Sequence, residues 1–186
     1  MRCSRFALMS AAAMVLLSSS ALPQQKPDGI EAGTGGKGLP LGQVRPMTVE
    51  IAKQLVAAAK KATCSPPAGT CAGAFAVVDD AGVLVYLETI DGVQAGGPGL
   101  AIRKAKTSAL WRRATKVFEN AVDNKTNTSY ADGTFPDMTT SPGGVPIFKD
   151  GRVVGGFGPA STGSEAVNNQ IESAVLAEAT RIFGKQ

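Results

Sequence analysis

The chain has 186 residues, 44% of them hydrophobic and 5% aromatic, enough for one cored domain with a tail. It contains no histidine, which excludes a Ser-His-Asp triad, a Cys-His pair and every His-based zinc or iron site. Lys+Arg number 19 against 15 Asp+Glu; without Arg2 and Arg5, which lie in the leader segment, 17 against 15 leaves +2, too little for a nucleic-acid-binding stripe.

In chain order, Arg2 and Arg5 precede an apolar run from Phe6 to Leu17, broken only by Ser10, and Ser19-Ser20-Ala21 supplies small residues. The three parts together predict a secretory signal peptide over 1–21 and a periplasmic or secreted protein. The run is too short to read as a membrane span. Residues 22–46 are rich in Gly and Pro with few large apolar side chains and read as a flexible leader, so a single domain is expected over 47–186. Thr48 is a plausible N-cap, and Ile51, Leu55, Ala58, Ala59 and Ala62 recur at helical spacing, predicting a helix over about 48–63. Cys64 and Cys71 are the even pair left once Cys3 departs with the leader; in an exported chain they predict a disulfide, not a Cys-x-x-Cys redox or metal site.

Ala74 to Val78 and Val83 to Thr89 flank Asp79-Asp80-Ala81-Gly82, a hairpin in which turn chemistry accounts for both aspartates without catalysis. Gly96-Gly97-Pro98-Gly99 leads into a helix over about 99–113, with Ile102, Ala105 and Ala109 inward, Leu110 beside them, and Arg103, Lys104 and Lys106 outward. Residues 120–143 lack periodicity and predict a long loop. Asp150-Gly151 between Val145–Lys149 and Arg152–Phe157 predicts a second hairpin with a type I′ turn. Thr162 and Glu165 form a capping box for a last helix reaching about Phe183. Two hairpins and the helices that must cover them define an α+β class: an antiparallel β-sheet with flanking helices.

Three segments together resemble the GlcG/HbpS family of haem-degrading or haem-binding domains: Ala76–Val85 with Asp91-Gly92; Ala101–Leu110 running on to Arg113-Ala114-Thr115; and Gly143–Ile147 with Asp150–Gly155. The resemblance spans about 48–183. It implies symmetric homo-oligomers, often octamers, and haem as the cofactor of the secreted branch. It also implies that Thr115, the threonine after the second helix, is an iron ligand. The chain departs from the family pattern after its last strand, with Gly158-Pro159-Ala160-Ser161 for a Gly-x-Ser-Gly pattern and Asn168 and Asn169 where carboxylates are frequent.

From the residues themselves, Tyr86, Tyr130, Met138 and Thr115 are the available haem ligands. Arg103, Arg112 and Arg113 belong to the densest basic cluster, able to grip propionates or a small organic acid. Thr115 equally suits the N-cap of a helix starting at Lys116. The expected function is an exported, oligomeric haem (tetrapyrrole)-binding protein serving sensing, storage or degradation. Two alternatives stand beside it: a small-carboxylic-acid-binding enzyme or accessory of glycolate-type metabolism, and a ligand-free scaffold. The lack of histidine argues against a conventional acid–base enzyme.

Overall fold

A computed structural model describes residues 45–64, 72–126, 137–161 and 165–186, all within the compact unit Gly42–Gln186. The expected signal peptide, the expected leader up to residue 44, Cys71, Tyr130 and Thr162 lie outside the described residues. Helix α1, Val49–Thr63, starts where Thr48 takes extended backbone angles and its hydroxyl accepts the Ile51 N–H at 3.3 Å. Ala52, Leu55, Val56, Ala59 and Ala62 form its buried stripe. Strand β1, Gly73–Asp79, is buried along its whole length, whereas β2, Leu84–Ile90, is partly exposed. A continuous apolar run marks a strand covered on both faces, and β1 is central in the sheet. At their turn the Asp79 carboxylate accepts the N–H groups of Ala81 and Val83, both at 2.9 Å, and pairs with Arg45, while Gly82 takes φ +77. The aspartate is thereby committed to the turn.

Helix α2 spans Gly97–Trp111, α3 Lys116–Asp123, β3 Val145–Lys149, β4 Arg152–Ser161 and α4 Glu165–Phe183. Asp150 and Gly151, at φ 51 and 73, make the β3–β4 connection with both central residues at positive φ, as a type I′ turn requires. The sheet order is β2-β1-β4-β3, all neighbours antiparallel. Helices α1 and α4 cover one face, burying Leu55, Phe75, Ile147, Phe157, Ile171 and Val175. The Phe75 and Phe157 rings stack across β1 and β4 at 6.3 Å. Helix α2 covers the other face, setting Ala101, Ala105 and Ala109 on Ala74, Ala76 and Val78. The class is α+β, in three layers.

Four local expectations are corrected. Strand β4 runs on to Ser161, because its continuation pairs with the buried β1. The start of the expected 120–143 loop is helical, as α3 continues to Asp123. Leu110 is 51% exposed, with its side chain lying over Gly82. Lys104 points inward and is 4% exposed, because the stripe that meets the sheet is Ala101, Lys104, Ala105 and Ser108. Among the described residues no helix is long and apolar enough to cross a membrane.

Candidate functional site

The second helix ends at Arg112, whose φ of +55 turns the chain sharply and sends its N–H back to the Ser108 carbonyl. This left-handed stop sets Arg112 and Arg113 on the surface beside the entry to β3. With Val145, Pro146, Phe148 and Leu176 they line a groove of ≈340 Å³. Neither guanidinium has an ion-pair partner among the described residues. Arg103 stands nine residues earlier on α2, about 13 Å along the axis, and borders a separate cleft of ≈470 Å³ with Val93, Leu100 and Ser161. The structure therefore brings Arg112 and Arg113 together and leaves Arg103 apart from them.

Thr115 is fully buried. It occupies the N-cap position of α3, yet its side chain makes no capping bond. Instead its hydroxyl accepts the Gly144 N–H at 2.9 Å, and its own N–H donates to the Gly144 carbonyl at 2.9 Å. This two-bond clasp ties the α2–α3 corner to the start of β3, and it leaves the hydroxyl closed to any ligand outside. Gly144 is confined to glycine there: a Cβ would fall 2.6 Å from the Lys104 carbonyl and 2.7 Å from Thr115 Cγ2. Replacing Thr115 by valine strands a buried N–H and is expected to cost about 1–3 kcal/mol. Thr115→Ser is expected to retain most of that stability. Urea unfolding of both variants checks this; equal losses would deny the clasp.

Next to the clasp lies a group of charges that includes Lys104, which was expected on the outer face of the second helix. Burial lowers the Lys104 ammonium to a pKa of about 8, against the opposing pull of Glu172 and Glu119. Burial raises the Glu172 carboxyl, with Lys104 and Lys116 acting against the rise. Lys116 pairs with Glu119, and with Glu165 at 3.1 Å. Lys104 itself has no ion pair or hydrogen bond among the described residues. Its place was readable: Ala101, Lys104, Ala105 and Ser108 fall at i, i+3, i+4 and i+7, the spacing of one buried face.

A family model described as "Haem degrading protein HbpS-like" matches residues 47–177, and the chain belongs to that family. Over 84 residues the chain is 38% identical to Protein GlcG of Escherichia coli, a match covering 45% of this chain. The chain thus spans 60% of the length of the curated relatives it matches. Among solved structures, a double mutant of Streptomyces reticuli HbpS is 26% identical, with a TM-score of 0.62, covering 76% of this chain and 91% of that one. Klebsiella pneumoniae protein ORFY shares the fold at TM-score 0.65 and 21% identity, over 78% of this chain and 96% of its own. The PduOC:heme complex does so at 0.63 and 21%, over 71% and 94%.

Haem asks for cations at its propionates, an apolar wall for the macrocycle and, for tight ligation, an axial group. Arg112 and Arg113 with Phe148 and Leu176 fit the first two. Of the four expected axial ligands, Thr115 is closed, and the Tyr86 hydroxyl donates to Glu88 at 2.9 Å on the far edge of the sheet. Met138 is half-buried in the segment before β3, and Tyr130 lies outside the described residues.

Proposed function

We propose that this protein is an exported, oligomeric haem-binding protein that takes the tetrapyrrole in the Arg112–Arg113 groove. The observation that carries the reading is a pair of arginines, without ion-pair partners among the described residues, beside an apolar groove in a chain of the HbpS-like family. The guanidiniums grip the propionates, which suits their planar paired donors, and Phe148 and Leu176 pack against the ring. Bound haem supplies a redox-active iron; the protein's own part is to hold its edge and shield one face. Haemin titration followed by absorption spectroscopy tests this. Replacing both Arg112 and Arg113 by alanine is expected to weaken binding by about tenfold or more, near 1.4 kcal/mol. The spectrum should not shift, because propionates lie away from iron. Absence of haemin binding in the parent, or unchanged affinity in the double variant, would overturn the reading.

The export reading entails cleavage near Ala21 and a Cys64–Cys71 bridge, of which Cys64 is placed as the C-cap of α1. Closing so short a loop contributes roughly 2–3 kcal/mol. Intact mass of the exported protein, with and without reductant before alkylation, is expected to show loss of the leader and no free thiol until reduction. Thiols alkylated without reductant would refute the bridge. The same preparation should scatter light as a homo-oligomer, an octamer being the assembly the family resemblance suggests.

A further inference from the structure

One end of the sheet gathers three chain reversals: the β1–β2 turn, the β3–β4 turn and the left-handed stop of α2. Between them lies a cleft of ≈530 Å³, to which Asp80, Leu110, Arg112 and Arg152 contribute. Its apolar wall depends on an irregularity in β4. Gly155 pairs with Ile147 but Val153 pairs with Phe148, so Val154 is an extra residue in the ladder. Gly156 and Gly158 face α2, and strict alternation would point Val154 the same way. Val154 is instead buried with the α1 and α4 layer, and Val153 packs toward α2. Bulges re-aim side chains in this manner. Here Val153 and Phe148 come to line the cleft together with Leu110.

Arg112 is a second irregularity. A helix that stops on a left-handed residue ordinarily places glycine there, because a Cβ is strained at such angles. Arg112 holds φ 55 with a full side chain. Strain kept at one residue points to a use for that side chain. Arg112, Arg152 and Asp80 are all exposed, and none has an ion-pair partner among the described residues. Two cations against one anion leave the cleft net positive.

We propose that this cleft binds a small amphipathic monocarboxylate, Arg112 and Arg152 taking the carboxylate and the wall of Leu110, Phe148 and Val153 the apolar body. Small-molecule sites pair an apolar lining with a few charged groups in this way. The planar paired donors of arginine suit a carboxylate. A cation would meet two guanidiniums, and a small hydrophilic acid would leave the apolar wall wet. Arg112 and Phe148 also line the groove assigned to haem, but Arg152 lines this cleft alone and Arg113 that groove alone. The proposal therefore stands without the haem reading.

The probe is 2-naphthoate, titrated calorimetrically into the full protein at neutral pH and low ionic strength. 2-Naphthylmethylamine has the same rings with the opposite charge, and acetate has the charge alone. Each should bind at least about tenfold more weakly than 2-naphthoate. Arg152→Ala is expected to weaken 2-naphthoate about tenfold, as loss of one charge-assisted contact does. Arg113→Ala should leave it unchanged, and Asp80→Asn should tighten it about twofold by removing the opposing charge. Bound 2-naphthoate should also shield Arg112 and Arg152, but not Arg103, from phenylglyoxal, a readout by peptide mapping that needs no variant. Equal binding of the acid and the amine would reduce the cleft to an apolar patch and overturn the proposal. So would an Arg152→Ala affinity equal to the parent's. Weakening in Arg113→Ala without weakening in Arg152→Ala would place the probe in the other groove, sinking this proposal while leaving the haem reading untouched.

Discussion

Gly158→Ala is expected to destabilise the protein by about 3 kcal/mol or more, at the upper end of what overpacking costs. The new Cβ would lie 2.2 Å from the Ala101 carbonyl oxygen and 2.5 Å from the Ala105 nitrogen. Both are helix backbone, so relief requires moving α2 as a body off β4. Gly156 repeats the arrangement one pleat away, with a Cβ 2.3 Å from the Ala105 oxygen. The two glycines, with Ala74 and Ala76 on β1, let helix and sheet approach until their backbones nearly touch. Gly99→Ala is the control, with no atom within 4 Å of its Cβ. It should stabilise α2 by roughly 0.5–1 kcal/mol through helix propensity alone. Urea unfolding of the three proteins decides the matter, and a Gly158→Ala midpoint close to the parent's would refute the packing account.

Stability is expected to rise with pH between about 7.5 and 9.5, and Lys104→Met should abolish the rise. The folded pKa of Lys104 is about 8 and its ordinary value is 10.5. Below 8 both folded and unfolded chains carry the charge, and the folded one bears the whole penalty of burying it. Between the two values the folded chain has lost the proton while the unfolded chain retains it. The unfolded state then binds more protons, and stability increases with pH by up to about 1.4 kcal/mol per unit. Over the full window the gain is on the order of 3 kcal/mol. Methionine keeps the length and removes the charge, so Lys104→Met should also be the more stable protein at pH 7. Lys60 and Tyr86, both held above their ordinary values by Glu88, act in the opposite sense only at higher pH. A parent whose unfolding midpoint is flat from pH 7.5 to 9.5 would deny Lys104 its buried charge.

Local chemistry was legible in the residues. Thr48 capped α1 as expected, Asp150-Gly151 made the hairpin turn, and Asp79 closed the first hairpin. Each depends on atoms within a few residues of one another, so spacing suffices to read it. The antiparallel sheet followed from the two hairpins for the same reason. Their order did not: a hairpin says which strands pair within it, and nothing local says that β1 and β4 meet in the centre. That junction is what lengthens β4 to Ser161 and makes Gly156 and Gly158 a seat for α2. The candidate site divides in the same way. Arg112 and Arg113 were visible as a basic pair, but only the left-handed end of α2 and the arrival of β3 and α4 give them a common groove. Thr115 read as a cap or a ligand because its hydroxyl had no visible partner; the partner, Gly144, is 29 residues away. Lys104 read as solvated because charge on a helix usually is. Its burial was set by glycines on β4, more than fifty residues along the chain, whose missing side chains let the helix settle so deeply that the lysine had nowhere else to go.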